Sequence, residues 1–220
     1  MIFRLTFFIS LLILVACKTT SINRPDTFFS ITKTSADEYN SVIELKYLVR
    51  DTLNYNTKNH IIKLPLQLKW KPYAIFKDTL FNSDDERVRR FEYLGQYKYL
   101  GFYLVQASFW EHSEKYLVNK YTGEKTTVWD EPKLSPRRKY FADILGYGMD
   151  GEPVGVQIWK ITVDENGGFK LSNIVEINQQ LWTPVDFVWA NDNSLILKIN
   201  TIQLDHPPSK NFDYLKIRLP

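Results

Sequence analysis

The stretch YLVNKYTGEKTTVWDEPKLSPRRKYFADIL, residues 116–145, decides the fold class of this 220-residue chain. Tyr116 to Lys120 and Lys125 to Trp129 are strand-like segments on either side of a short connection that contains Thr122-Gly123. Two such segments around a glycine-containing connection predict a β-hairpin. Another predicted strand, Tyr140 to Leu145, follows after a proline-containing turn. The stretch therefore predicts consecutive antiparallel strands.

A second segment of the same order follows at about residues 154–199. Val154 to Val163 and Phe169 to Ile177 predict two strands, joined by the turn Asp164-Glu165-Asn166-Gly167-Gly168. Trp182-Thr183-Pro184 then stands where the first segment has Trp129-Asp130-Glu131-Pro132. Two repeat-like units, about 116–145 and 154–199, are thus spaced by roughly 50 residues, a length near that of propeller blades.

Part of the first unit resembles a known repeat. Ser135-Pro136 with Lys139-Tyr140 and the nearby Thr122-Gly123 resembles the WD40-like repeats of periplasmic propeller proteins. The same run resembles part of uncharacterised lipoproteins of Bacteroidota-type bacteria. The resemblance implies a partial propeller, since a full propeller has at least four blades and two units are visible.

We therefore expect an all-β, mainly antiparallel domain, built as a partial propeller or as a curled stack of several sheets. A sandwich or barrel of regular short strands is an equal alternative. The composition agrees, because 13 Tyr, 14 Phe and 6 Trp favour strands. In the N-terminal half, His60 to Trp70 alternates as a half-buried strand, and Phe91 to Trp110 predicts two strands. Ser35 to Glu38 fits a helix-capping box, whereas Ile43 to Val49 alternates like a strand.

The N-terminus has the layout of a targeting signal. Arg4 precedes residues 5–16, which are apolar except for Thr6 and Ser10 and form a run shorter than the roughly 20 residues of a membrane-spanning helix. A charged start, a short apolar core and a small residue before the cut are typical of a secretory signal peptide. The closing residues Leu14-Val15-Ala16-Cys17 resemble the lipobox of bacterial lipoproteins. The resemblance implies cleavage before Cys17 and acylation of this cysteine, the only one in the chain. The alternative is an uncleaved buried helix with a chance cysteine.

This interpretation divides the chain into three parts. They are a lipoprotein signal peptide at 1–16, a flexible tether at 17–34 and a single β-rich domain at 35–220. Acylated Cys17 would attach the protein to lipid of the cell membrane or the outer membrane. Lys18-Thr19-Thr20-Ser21 lacks the acidic run that resembles a surface-export signal, so we expect the domain to face the periplasm.

The charge balance argues against a nucleic-acid partner. The chain has 28 Lys and Arg against 25 Asp and Glu, and removal of Arg4 with the leader leaves a net charge near +2. Nucleic-acid binding requires a concentrated basic face.

The sequence gives little support for a catalytic site or a cofactor-binding site. The sequence has no Gly-x-Ser-x-Gly elbow and no cysteine other than Cys17. His60, His112 and His206 are far apart and lack metal-ligand spacing. We therefore expect no cofactor and no enzymatic activity. Two acid pairs, Glu111 with Glu114 and Asp143 with Asp150, would suit glycoside cleavage, but acidic residues are mostly exposed surface residues.

Aromatic side chains are the remaining candidates for a binding site. Trp110, Trp129 and Trp159 lie in or next to the repeat-like half, and flat rings can stack on sugars or contact a partner. A role in the core between sheets is the more common one. The leading hypothesis is a non-enzymatic envelope lipoprotein that binds another protein or an envelope polymer. The alternatives are a saccharide-binding or glycoside-cleaving lipoprotein and a purely structural spacer.

Overall fold

The computed structural model describes residues 29–50, 60–79, 86–146, 152–165, 168–201 and 212–220. The predicted lipobox with Cys17 lies outside these residues, as do Asp150 and His206. The described residues form fourteen strands and one α-helix, α1 (Ala36–Asn40). The strands are β1 (Ser30–Lys33), β2 (Ile61–Pro65), β3 (Tyr73–Lys77), β4 (Arg90–Tyr97), β5 (Phe102–Ser108), β6 (Ser113–Asn119), β7 (Lys125–Val128), β8 (Lys133–Leu134), β9 (Tyr140–Leu145), β10 (Gly155–Val163), β11 (Phe169–Asn178), β12 (Trp182–Asn191), β13 (Ser194–Thr201) and β14 (Asp213–Arg218).

The strands form three four-stranded sheets and one two-stranded hairpin. Sheet I has the order β4-β5-β6-β7, sheet II the order β11-β10-β9-β8, and sheet III the order β1-β14-β13-β12. The hairpin consists of β2 and β3. Every pairing between these strands is antiparallel, and no sheet closes into a barrel. The prediction of an all-β domain of several antiparallel sheets is therefore confirmed.

The repeat-like units cross the boundaries between sheets. Residues 116–145 hold most of β6 with β7 to β9, so they join the end of sheet I to the start of sheet II. Residues 154–199 hold β10 to β12 and most of β13, which join sheet II to sheet III in the same way. The β8–β9 and β12–β13 turns, which occupy matching places in the units, are in contact. The Arg137 backbone N–H donates to Asp192 Oδ1 at 2.7 Å.

Strand β1 falls within the range predicted to be a tether. Its pairing with β14 places Ser30 opposite Arg218 and Lys33 opposite Leu215. The Thr34 N–H continues the contact, donating to the Tyr214 carbonyl at 3.0 Å. An uncovered β14 would expose a row of unpaired backbone groups, and β1 satisfies them. Residues 30–33 therefore belong to sheet III rather than to a free tether.

The structure decides between the two patterns that the sequence left open over residues 35–49, because α1 is capped at Ser35 and residues 42–48 form no strand. The Glu38 N–H donates to Ser35 Oγ at 3.2 Å, which satisfies one N–H of the first turn. The helix is held on sheet III, since Glu38 accepts from Lys216 Nζ at 2.5 Å and Tyr39 donates to Asp186 Oδ2 at 2.6 Å. No helix within the described ranges is long and apolar enough to cross a membrane.

Three apolar clusters stack the layers in the order hairpin, sheet I, sheet II, sheet III. Alternation along β5 directs Phe102 and Leu104 toward sheet II, and Tyr103 and Val105 toward the hairpin. Sheets II and III share the largest cluster. Full burial of one valine, leucine, isoleucine or phenylalanine side chain stabilises the folded state by about 1.5–3 kcal/mol. The buried members of this cluster are Tyr140, Ala142, Val156, Ile158, Val175, Phe187, Trp189, Leu195, Leu197, Ile199, Ile217 and Leu219.

The strand expected over residues 60–70 ends early, at Pro65. The Leu66 N–H turns to the Pro72 carbonyl at 2.8 Å, and the Gln67 N–H donates to the Lys120 carbonyl of sheet I at 2.7 Å. Leu66 and Leu68 pack against sheet I from this connection. The inward pattern therefore does not extend to Trp70, which is 79% exposed.

Candidate functional site

A cleft of about 450 Å³ lies where the hairpin meets the β6–β7 turn of sheet I. We call it the Trp70 cleft. Its volume falls in the range typical of small-ligand pockets, roughly 300–1,000 Å³. The lining residues are Trp70, Lys71, Pro72, Tyr73, Ala74, Ile75, Gly123 and Lys125.

Large apolar side chains at the Trp70 cleft are unusually exposed. Trp70 is 79% exposed, Ile75 57% and Tyr73 46%. Tyr73 and Ile75 are two residues apart on β3, so they share its outer face, while Ala74 and Phe76 pack inward. The pairing of β3 with β2 fixes their backbone, because Tyr73 lies opposite Pro65 and Ile75 opposite Lys63.

Two lysines form the charged part of the cleft. Lys125 Nζ lies 4.1 Å from the centroid of the Phe76 ring. Burial lowers the pKa of Lys125, and the nearby charge of Lys71 lowers it further. In the described part of the chain, neither ammonium group has a carboxylate partner.

Gly123 allows Lys71 to lie over the β6–β7 turn. Its φ of +71° is a backbone conformation that residues with a side chain rarely adopt. A Cβ atom at position 123 would lie 2.9 Å from Leu66 Cδ1 and 3.6 Å from Lys71 Nζ. The turn therefore needs glycine both for its geometry and for the space above it.

The hairpin segment concentrates positive charge. Residues 60–77 contain Lys63, Lys69, Lys71 and Lys77 and no aspartate or glutamate. The chain as a whole is close to neutral, with 28 basic and 25 acidic residues. An uncompensated group of lysines creates a local field that attracts anions.

The tryptophans that the sequence suggested lie elsewhere. Trp110 is 45% exposed in the β5–β6 turn, at the end of sheet I opposite the Trp70 cleft. Trp129 and Trp159 are half-buried, and Trp159 packs into the cluster between sheets I and II. Sequence reasoning missed Trp70 because it continued an alternating pattern. The flanking Lys69 and Lys71-Pro72 were the available signal for a turn.

Trp129 and Trp159 both adjoin the buried carboxyl group of Asp143. Burial raises the pKa of Asp143 to about 8, although backbone N–H groups of Trp129 and Asp130 oppose the shift. The Trp159 indole is close enough to lower the same pKa. Within the described residues, however, neither Trp159 Nε1 nor Asp143 Oδ2 makes a hydrogen bond of acceptable geometry.

The candidate acids and histidines do not assemble a recognisable reaction centre. Glu114 accepts from the Tyr116 hydroxyl at 2.5 Å and lies 3.7 Å from His112 Nε2, next to the exposed Glu111. His60 lies 3.5 Å from Asp78. Across the described ranges, no three His, Cys, Asp or Glu side chains are grouped to hold a metal ion. Between β10 and β11, the Gly168 N–H donates to Asp164 Oδ1 at 2.8 Å.

A second cleft, of about 440 Å³, lies between residues 44–50 and residues 131–134. Four of its five charged side chains form ion pairs, and Lys46 is the fifth. Arg50 contacts Glu131 at 2.5 Å, and Lys133 contacts Glu44 at 2.8 Å. Because most of these charges are compensated, the Trp70 cleft is the better candidate for a ligand.

No protein-family model, curated protein or solved structure matches the chain. The geometry and chemistry of the Trp70 cleft are therefore the basis for assigning a function.

Proposed function

We propose that this chain is a lipid-anchored binding protein of the bacterial cell envelope that faces the periplasm and binds a saccharide in the Trp70 cleft. The observation that carries the binding proposal is the 79% exposure of Trp70 beside Tyr73 and Ile75 in a cleft of ligand size. Exposed apolar groups of this kind mark interaction sites. The envelope location and the lipid anchor rest on the lipobox-like residues that end at Cys17.

Aromatic faces suit a saccharide because a sugar ring presents C–H groups on one face and hydroxyls at its edge. Trp70 and Tyr73 offer large flat apolar surfaces, and each has a polar group at its rim. The lysines of the cleft supply donors for hydroxyl oxygens. A ligand of a few sugar units would combine ring contact with hydrogen bonds at the edge.

A protein partner fits the cleft less well. A stable protein–protein interface buries about 800 Å² on each partner. The exposed apolar residues here are three neighbours around one concave site. A discrete ligand matches that size better than a folded protein does.

The proposal is for binding without cleavage. Glycoside hydrolysis uses two carboxyl groups on either side of the scissile bond. The residues that line the Trp70 cleft include lysines and aromatics but no aspartate or glutamate.

We also propose that sheets I to III are blades of a partial propeller, since each is a four-stranded antiparallel unit.

The anchor is tested by Cys17→Ser in the full chain. We expect the wild-type protein to incorporate labelled fatty acid and to sediment with membranes, because two or more acyl chains anchor stably. The variant should lose the label and appear in the soluble periplasmic fraction. A variant that keeps its membrane attachment would contradict the anchor proposal.

The binding proposal is tested with the full chain in detergent micelles against soluble envelope glycans and peptidoglycan fragments. We expect Trp70→Ala to weaken binding by about tenfold or more, which is the loss of a central aromatic contact. Trp110→Ala is the matched control, because Trp110 is exposed at the opposite end of sheet I. Equal binding by wild type and Trp70→Ala would overturn the proposal, and so would capture of a protein instead of any glycan.

A further inference from the structure

We propose that the ligand of the Trp70 cleft is an anionic saccharide, and that the ammonium groups of Lys71 and Lys125 bind its phosphate or carboxylate group. This inference rests on the proposed saccharide binding and specifies its chemistry.

The two lysines are the first reason. Both ammonium groups lie at the β6–β7 turn. A Cβ atom on Gly123 would lie 3.6 Å from Lys71 Nζ, and Lys125, two residues further on, places its Nζ over the Phe76 ring. Two neighbouring cations without an anion repel each other. An anion between them would remove the repulsion and form charge-assisted hydrogen bonds with both.

The two ammonium groups of the cleft are accessible to a ligand. Lys71 and Lys125 are exposed, whereas the half-buried Lys115, Lys133 and Lys216 contact Asp130, Asp186 and Glu38 at 2.5–2.8 Å. In the described part of the chain no carboxylate contacts Lys71 or Lys125, so an anionic ligand can reach both ammonium groups.

The surrounding charge supports the same inference. Residues 60–77 carry four lysines without an acid, so an approaching anion meets a favourable field before contact. This field attracts any anion, including an anionic bilayer. The concave shape favours a discrete ligand, because Lys71 and Lys125 line a cleft together with Trp70 and Gly123. A flat membrane surface would not fill it.

The experiment compares anionic saccharides with neutral saccharides of the same sugar units. The probes are a galacturonic acid tetrasaccharide with its methyl ester, and chitobiose 1-phosphate with chitobiose. The full chain in uncharged detergent micelles should bind each anionic probe about tenfold more tightly than its neutral match at low ionic strength. Added salt should reduce that preference, because it screens exposed charges.

Variants separate the charge from the aromatic contact. Lys71→Gln and Lys125→Gln should remove the preference for the anionic probes. Their affinity for the neutral probes should fall less, because the glutamine amide can still donate to a hydroxyl oxygen. Lys125→Arg should retain the preference, and Lys139→Gln, at an exposed lysine of the β8–β9 turn, should behave as wild type. Trp70→Ala should weaken binding of both members of each pair.

The outcomes test the anionic specificity separately from saccharide binding itself. Equal binding of both members of each pair, still lost in Trp70→Ala, would overturn the anionic specificity and leave saccharide binding intact. Binding only to vesicles of phosphatidylcholine and phosphatidylglycerol, and to no saccharide, would overturn both. A preference for anions that survives both glutamine variants would also overturn the assignment to Lys71 and Lys125.

Discussion

Asp143 on β9 accepts a hydrogen bond from the backbone of Trp129, with 3.0 Å between Asp143 Oδ1 and Trp129 N. This bond ties sheet II to the chain that has just left sheet I. The carboxyl group is fully buried, and burial raises its pKa to about 8. At neutral pH the folded protein therefore holds Asp143 mainly as a protonated acid.

Asp143 should make the protein less stable as the pH rises from about 4 to about 8. The unfolded chain releases this proton near pH 4, whereas the folded chain keeps it until about pH 8. Between these values the folded state binds more protons, so the free energy of unfolding falls by up to roughly 1.4 kcal/mol per pH unit. Below pH 4 and above pH 8 this contribution is constant.

The variant Asp143→Asn isolates the effect, because asparagine does not titrate and can still accept from Trp129. Its stability relative to wild type should increase between pH 5 and pH 8 in denaturant unfolding. Glu124→Gln, at an exposed position of the β6–β7 turn, is the control and should follow wild type. A constant difference between Asp143→Asn and wild type at both pH values would contradict this account.

Lys133 connects three parts of the chain through one ammonium group. Its Nζ lies 2.8 Å from Asp186 Oδ1, 2.8 Å from Glu44 Oε1 and 2.9 Å from the Phe187 carbonyl oxygen. Lys133→Met should lower the free energy of unfolding by about 1–3 kcal/mol, because it leaves partly buried acceptors without a charged donor. Denaturant unfolding measures the loss.

Lys139→Met is the matched control, since Lys139 is exposed and the hydrogen bonds described for it are made by its backbone. Its N–H donates to Ser135 Oγ, and its carbonyl accepts from the Ile161 N–H. The Lys139→Met variant should change stability by less than about 0.5 kcal/mol. Amide exchange gives a second measure. Lys133→Met should speed exchange in residues 42–50, which lose the Glu44 contact. Equal stability of the two variants would show that the contacts of Lys133 make no net contribution to the free energy of unfolding.

Asn119 organises the β6–β7 turn and joins it to sheet II. Its Oδ1 accepts from the backbone of Tyr121 at 2.8 Å and of Thr122 at 3.2 Å, and its Nδ2 donates to the Phe169 carbonyl at 2.6 Å. Asn119→Ala should lower the free energy of unfolding by about 1–3 kcal/mol, because it leaves the half-buried Tyr121 N–H and Phe169 carbonyl without their partner.

The comparison for Asn119 is Asn191→Ala. Asn191 is exposed and accepts from the Asn193 backbone at 2.8 Å in the β12–β13 turn. Its loss should cost no more than about 1 kcal/mol, since water can replace the bond. A cost for Asn119→Ala as small as that for Asn191→Ala would mean that the Phe169 contact adds no stability.

The local features of the fold could be predicted from the sequence. The hairpin around Thr122-Gly123 formed as expected, and β10 and β11 pair as the two predicted strands on either side of residues 164–168, because turn chemistry acts on neighbouring residues. The helix cap at Ser35 is similarly local. The lipidation of Cys17, the binding partner and the periplasmic location of the protein remain predictions.

The non-local features could not be predicted. The sequence around β1 does not indicate that this strand pairs with β14. The pairing depends on the edge of sheet III that β14 forms, and β14 is far away along the chain. The burial of Asp143 contradicts the general rule that acids lie on the surface. Trp70 continued an alternating pattern, and its exposure results from a turn whose hydrogen bonds reach sheet I.

The pairing of β1 with β14 imposes an order of assembly on a chain that is synthesised from its N-terminus. The first of the described strands must wait for the last one, since Ser30 pairs with Arg218. Sheets I and II are each built from consecutive strands and can fold while synthesis continues. Sheet III is completed only when its distant ends meet, so β1 is the last strand to be incorporated although it is made first.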